Sequence, residues 1–467
     1  MCVALCAIAA SCSHADKKYG RYVNKFVGTG LEGRVTPVAS VPFGMVQIGA
    51  DTRSYNSGYH YDDSQIWGFS HLHKSGGGCG DFLDILFLPL PPGELVVGID
   101  RLELGHYQAS FSHRDEYAAP GKYAVDLYDH QISAEQTATA RCGLQRYRYQ
   151  QEVEPAVLVD LQYGSTCACT IQYEHDVDTV YDSYVEMPDK YTLQGYRMSN
   201  GWATDQRVFF HTRFSMPIKE CVLFVDENRQ PQGTISAKGQ NLRVILTFGQ
   251  TAGRPLDIKT GISTVDMEGA SENLQNEVGQ ENFTEIEVKA ERQWEEVLKQ
   301  IEIETEDVKK KELFYTALHN VMMYPMLFSD VDNRYRGPDR KVYQTDGFKY
   351  YGAVVGLWDT FRAACPLNAL LQPEVMRDYV RTSLVHYAIA GQLPIWTLAG
   401  VETYQMIGLH AIPLITNCYL NGIDGFDTRL ALEAMKQSAM KDTCGYSMGY
   451  FVGLENYKKY GYVPCDL

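Results

Sequence analysis

Between Met1 and Cys12 the chain has no Lys or Arg, and after that point it has no apolar run long enough to cross a bilayer, which takes about 20 residues. It contains no CxxC pair, no fixed short repeat and no low-complexity tract. Basic residues are in deficit, 42 against 58 acidic ones, for a net charge of −16. That deficit argues against nucleic acid, whose phosphates are bound by Lys and Arg, and against an anionic membrane held by surface charge. The absence of a Lys-Ser or Lys-Thr after Ser75-Gly-Gly-Gly-Cys-Gly80 removes a phosphate-loop reading, and the glycines there permit close backbone approach instead.

What is present is an ordinary globular composition over 467 residues, 45% apolar, enough for two to four domains and a large core. The 32 tyrosines combine a flat apolar face with a hydroxyl, a chemistry that suits carbohydrate surfaces. The N-terminus, Met1-Cys-Val-Ala-Leu-Cys-Ala-Ile-Ala-Ala-Ser-Cys12, has a short apolar run and small residues before a cysteine. It is predicted to be an export signal with Cys12 as the lipidation site, residues 1–21 forming signal and tether of a periplasmic or outer-membrane lipoprotein. Nine cysteines remain after Cys12, an odd number, and are read as mostly buried thiols.

Residues 22–264 alternate apolar and polar in short β-branched and aromatic runs, as in Gln206-Arg-Val-Phe-Phe-His-Thr-Arg-Phe and Leu242-Arg-Val-Ile-Leu-Thr-Phe. Period two over many such runs predicts a β-sandwich, with the more continuous Phe82-Leu-Asp-Ile-Leu-Phe-Leu as a central strand. Residues 265–308, rich in Glu, Lys and Gln, are predicted to be a helical linker of one or two helices. From 309 to 467 the spacing is helical, with helices expected over 374–390 behind Pro373, 402–420 and 427–440, and with Gly391 and Gly422 as stops.

Several phrases resemble one family. They are Phe26-Val-Gly-Thr-Gly30, Pro42-Phe-Gly-Met, Gly58-Tyr-His-Tyr-Asp-Asp-Ser-Gln-Ile-Trp67-Gly-Phe-Ser-His71-Leu-His73, Leu357-Trp-Asp359-Thr-Phe and Gly400-Val-Glu402-Thr-Tyr-Gln-Met-Ile-Gly408-Leu-His410. In order and content they resemble glycoside hydrolase family 92, calcium-dependent exo-α-mannosidases, many of them α-1,2-specific and inverting. The resemblance implies an N-terminal β-sandwich, a helical linker and an (α/α)6 barrel, with the active site between the domains. It implies that Trp67 lies beside the terminal mannose and that Asp359 holds its hydroxyls. Trp358, Gly30, His71 and Glu402 join them as candidate substrate-binding residues.

Bland alternatives stand beside these. Trp67 could be a core residue, Asp359 and Glu402 could cap helices, and Met406, Gly408 and His410 read as packing. His71 and His73 share a strand face and could hold zinc, yet no further ligand follows at a usual spacing, so hydrogen bonding in the cleft is expected. Inversion needs two carboxyl groups about 6.5–9.5 Å apart. The resemblance puts the general acid Glu and general base Asp in phrases not found here, so both, with most calcium ligands, are expected beyond residue 467. Twelve barrel helices need at least about 200 residues. About six or seven helical patterns follow residue 309, so the barrel is expected to be incomplete, only the front part of the family's chain, and inactive alone. The rival expectation is a non-catalytic mannose-binding lipoprotein.

Overall fold

The computed structural model describes residues 18–55, 57–77, 81–91, 107–165, 177–352, 356–440 and 453–465. Cys12 and most of the expected signal and tether lie outside the described residues, as do Cys79, Cys167 and Cys169. No helix among the described residues is long and apolar enough to cross a membrane.

Two antiparallel sheets face each other. One has eight strands, in the order Ala39–Ser40, Gln47–Asp51, Gly68–Ser70, Leu86–Leu90, Ala156–Asp160, Leu242–Phe248, Ile218–Val225 and Asn228–Arg229. The other has nine, in the order Ser236–Gly239, Thr179–Asp189, Thr192–Asn200, Gln206–Phe214, Leu256–Ser263, Cys142–Tyr149, Ile132–Ala138, Lys122–Leu127 and Glu116–Ala119. The continuous run Leu242–Phe248 is buried at all seven positions because it is central in its sheet. Lys122–Leu127 alternates strictly, one face inward. Phe69 from the first sheet meets Tyr123 and Tyr147 of the second at 6.5 and 6.2 Å, and Phe248 meets Phe214 at 5.1 Å. Each such ring taken from water stabilises by roughly 1.5–3 kcal/mol.

The expected strand from Phe82 to Leu88 is corrected. Phe82, Leu83 and Ile85 have positive φ, which no strand allows, and pairing starts at Leu86. The cause is polar: Asp84 is pulled onto Arg197 (2.6 Å) and Asp81 onto the Ala203 N–H (3.1 Å).

Helices α1 (Met267–Glu277), α2 (Phe283–Leu298) and α3 (Val308–Val321) follow. Asp266 caps α1, and Asn282 with Glu285 forms a capping box on α2. These helices lie on the sandwich instead of hanging between domains. A side chain at Gly261 would come within 2.1 Å of the Ala270 carbonyl, so only glycine lets α1 seat there. Phe283, Ile286, Ala290, Trp294 and Leu298 form the buried stripe of α2, and the Trp294 indole donates to the Ser40 carbonyl at 2.6 Å.

Six further helices lie among the described residues: α4 (Leu357–Thr360), α5 (Ala364–Leu371), α6 (Pro373–Ala390), α7 (Ala411–Leu420), α8 (Thr428–Met440) and α9 (Leu454–Tyr460). Pro373 opens α6 and left-handed Gly391 closes it, as expected. The helix expected from Glu402 begins only at Ala411. Thr397–Leu398 pairs with Val401–Glu402 as a short hairpin, and Tyr404, Met406 and Leu409 take positive φ.

The halves are joined by direct hydrogen bonds. Phe43 N–H donates to Met322 O (2.9 Å) and Leu327 N–H to Phe43 O (3.0 Å). Arg141 Nε donates to Ser329 O (2.6 Å), and Tyr324 Oη to Ser75 O (2.7 Å).

One buried cation near this seam makes a testable contribution to stability. Lys25 Nζ lies 3.2 Å from His319 Nε2, whose ring stacks on Trp294 at 4.0 Å. His319 Nδ1 faces Asn320 Oδ1 at 3.1 Å, so Nε2 accepts from the lysine. Burial brings the Lys25 pKa down to about 7 and that of His319 well below its usual value. The unfolded chain takes up the lysine proton near 10.5, the folded chain only near 7, so stability falls as pH drops across that window. His319 extends the loss below 6.5. Lys25→Met should raise stability at pH 7 by about 2–4 kcal/mol and flatten the slope between pH 10 and 7 in urea titrations. Equal stability and equal slope would refute this.

Candidate functional site

The long strands Thr192–Asn200 and Gln206–Phe214 are joined by a turn that carries Trp202 to the edge of the sandwich. The Trp202 ring lies 6.1 Å from Trp396 of the helical half. Lys74 Nζ sits 5.5 Å from the Trp396 centroid, on a π face that attracts cations. Trp396 also packs on Gly356: a side chain there would come within 2.3 Å of Trp396 Nε1 and 2.8 Å of Trp358 Cδ1. Glycine at 356 therefore brings the start of α4, with Trp358 and Asp359, against Trp396. Three of the chain's five tryptophans meet at this junction.

Asp359 is exposed and its carboxylate has no hydrogen-bond partner among the described residues. Gly356 occupies the cap position of α4, so Asp359 caps nothing. Partial burial raises its pKa, and nearby His410 opposes the shift. His410, read from sequence as packing, stands at the start of α7 with its Nδ1 buried and without a hydrogen-bond partner among the described residues.

Glu402 is corrected. Its carboxylate accepts N–H groups from Ile395 (2.8 Å), Trp396 (2.9 Å) and Tyr404 (2.9 Å), and its side chain is only 4% exposed. Three of its roughly four acceptor sites are taken by the backbone and it caps no helix; it fixes the loop that presents Trp396.

His71 is corrected too. It is fully buried, its Nδ1 donates to Ile85 O at 2.7 Å, and its ring packs on Phe87 and against Gly143. Burial holds its pKa down to about 4, so it is a neutral core histidine with no surface to offer a sugar. His73 is spent on Gln47 O (2.8 Å) and Asp51 (3.1 Å).

Trp67 is half-buried against Leu83, Leu86 and Tyr163, with its indole 6.0 Å from the Tyr163 ring. Its ring contact is with that tyrosine and not with the junction tryptophans. Gly30 accepts the Gly33 N–H in a loop beside Tyr61. The structure therefore gathers Trp358, Asp359 and the Glu402 loop, and adds Trp202, Trp396, Lys74 and His410.

Residues 22–263 match the glycosyl hydrolase family 92 N-terminal domain, and residues 269–467 match the glycosyl hydrolase family 92 catalytic domain. The chain belongs to glycoside hydrolase family 92. Its fold is similar to that of the family α-mannosidase of Bacteroides thetaiotaomicron, with TM-score 0.87 and 34% identity over 96% of this chain and 60% of that one. That enzyme is also known in complex with mannoimidazole. An inverting family mannosidase from Bacteroides thetaiotaomicron VPI-5482 gives TM-score 0.83 and 26% identity, covering 96% of this chain and 59% of that one. An uncharacterized secreted glycosidase of Arthroderma benhamiae is 23% identical, covering 96% of this chain and 55% of that protein.

The chain thus spans about 60% of the solved relatives' length. Both family domains are matched in it. The catalytic-domain match takes in α1 and α2, placed in the linker by sequence, and withdraws the ground for setting the calcium ligands beyond residue 467.

Proposed function

We propose that this family 92 chain serves exo-acting hydrolysis of terminal α-mannose from glycans, on α-1,2 links and with inversion. One observation carries the reading. Asp359 presents a carboxylate with no hydrogen bond to the described residues beside an exposed Trp358, at a junction of three tryptophans. An ionised carboxylate accepts two sugar hydroxyls through charge-assisted bonds, and an indole covers the apolar face of a pyranose. In the proposed reaction water attacks the anomeric carbon opposite the leaving oxygen, so α-linked mannose leaves as β-mannose. Asp359 binds and orients; no acid or base role is given to it. Trp67 and Gly30 are kept as the sandwich's contribution to the mannose site.

Calcium takes six to eight oxygen ligands. Among the described residues no three or more His, Cys, Asp or Glu side chains gather as a metal site, and no step is routed through the ion. The helical half is proposed to form part of an (α/α)6 barrel. Export as a lipoprotein through Cys12 is proposed from the leader pattern, in keeping with the secreted glycosidase relative.

The test pairs calorimetric titration of mannoimidazole with proton NMR of α-1,2-mannobiose hydrolysis. Binding with β-mannose appearing first supports the whole reading. Binding without turnover selects the glycan-binding alternative. Absence of binding removes mannose recognition from this chain.

A further inference from the structure

A cavity lies away from the junction, where α1 and the turn before α2 cross the outer face of the nine-stranded sheet. Its volume is about 680 Å³, within the range of small-ligand sites. Leu274 supplies an apolar floor, and Gln275, His211, Arg213 and Lys259 supply polar walls.

The charge pattern is unusual for a solvated face. Arg213 and Lys259 are directly opposite residues on paired antiparallel strands. Like charges in that register destabilise a sheet. Neither cation is fully matched. Arg213 gives one nitrogen to Asp189 (3.2 Å) and Thr192 (2.8 Å), while Lys259 donates to the carbonyls of Glu281 (2.6 Å) and Gly279 (3.4 Å) and, among the described residues, meets the carboxylates of Asp257, Glu285 and Glu281 only through space. The one carboxylate in the lining, Asp257, is already held by Arg146 through two bonds of 2.6 and 2.8 Å. His211 donates its Nδ1–H to Gln194 (2.8 Å), which leaves Nε2 as an acceptor. Two under-matched cations, an acceptor nitrogen, amide edges and an apolar floor are the parts needed to hold a hydroxylated ring that bears a negative group.

We propose that this cavity is an ancillary site for a sugar residue carrying an anionic substituent, separate from the Asp359 junction and not dependent on the mannosidase reading. The ligand's charge compensates the opposed Arg213 and Lys259, and its hydroxyls meet Gln275 and His211. The chain's overall negative charge makes this local excess of cations selective, because anions meet repulsion over much of the remaining surface.

Calorimetry on the intact chain tests it, with mannose 6-phosphate, mannose and inorganic phosphate as probes. Mannose 6-phosphate should bind at least about tenfold tighter than either mannose or phosphate, and about tenfold weaker in Arg213→Gln. Arg213 is half-exposed, so the variant should fold, and circular dichroism checks this. Should it fail to fold, Gln275→Trp fills the cavity from an exposed position and should abolish binding by itself. Asp359→Asn should leave this binding unchanged. Equal affinity for phosphate and mannose 6-phosphate, no binding of either, or loss of binding in Asp359→Asn would each overturn the proposal.

Discussion

Asp359→Asn should weaken mannoimidazole binding about 30-fold and leave the thermal midpoint unmoved. The two halves of this result have separate causes. Asp359 makes no hydrogen bond to described protein groups, so its charge can be removed without orphaning a buried donor. The ligand loses charge-assisted hydrogen bonds, worth about 1.5–3 kcal/mol, and 30-fold is about 2 kcal/mol. The pH dependence follows from the raised pKa. Only the ionised form is acceptor-only at both oxygens, so affinity falls as pH drops through a value higher than that of a free aspartate. Methyl α-mannoside, which has no ionisable group, is the ligand for that titration. The Asn variant should give a flat profile, and a wild-type profile that is also flat would remove Asp359 from the site.

Arg197→Met should destabilise the sandwich by about 3–5 kcal/mol, the cost of leaving buried charge unpaired. Arg197 is fully buried and holds Asp84 (2.6 Å), Asp178 (2.7 Å), Ser199 (2.9 Å) and the Leu161 carbonyl (3.0 Å). The space is tight: a side chain at Gly164 would lie 2.3 Å from Arg197 Nη2. Burial already raises the pKa of both aspartates against the pull of the guanidinium. Without it they rise further. A carboxyl whose folded pKa exceeds its unfolded value favours folding below about 3.9 and loses that contribution as pH climbs toward the folded value. The defect should therefore be smaller at pH 5 than at pH 8 in urea titrations. A loss of the same size at both would show that packing, not charge, is what Arg197 supplies.

The strands Gln206–Phe214 and Leu242–Phe248 were legible in the sequence, since β-branched and aromatic enrichment over short runs is a local signal. The Glu402 region was not. Its spacing reads as helix, but a single carboxylate gathers three backbone N–H groups from both sides of a hairpin, and this through-space arrangement leaves no periodic trace. His71 misled in the opposite direction. It stands in a polar phrase, yet the register of Gly68–Ser70 sends it between the sheets against Phe87. Asp359 and Trp358 were found through their motif. Trp202 and Trp396 were missed because each is unremarkable where it stands, and their meaning arises only when distant loops are brought face to face. The scarcity of tryptophan was the one signal that could have prompted the pairing.

The backbone bonds that Phe43 exchanges with Met322 and Leu327, with Arg141 on Ser329 and Tyr324 on Ser75, run between the sandwich and the helical half. Their consequence is entropic. A junction whose two sides are fixed while the chain folds meets its ligand already shaped, and no rigid-body closure has to be driven by the ligand's own contacts. Free and occupied forms of the junction should then superpose, with selectivity arising from the fit of a standing mould instead of from a hinge.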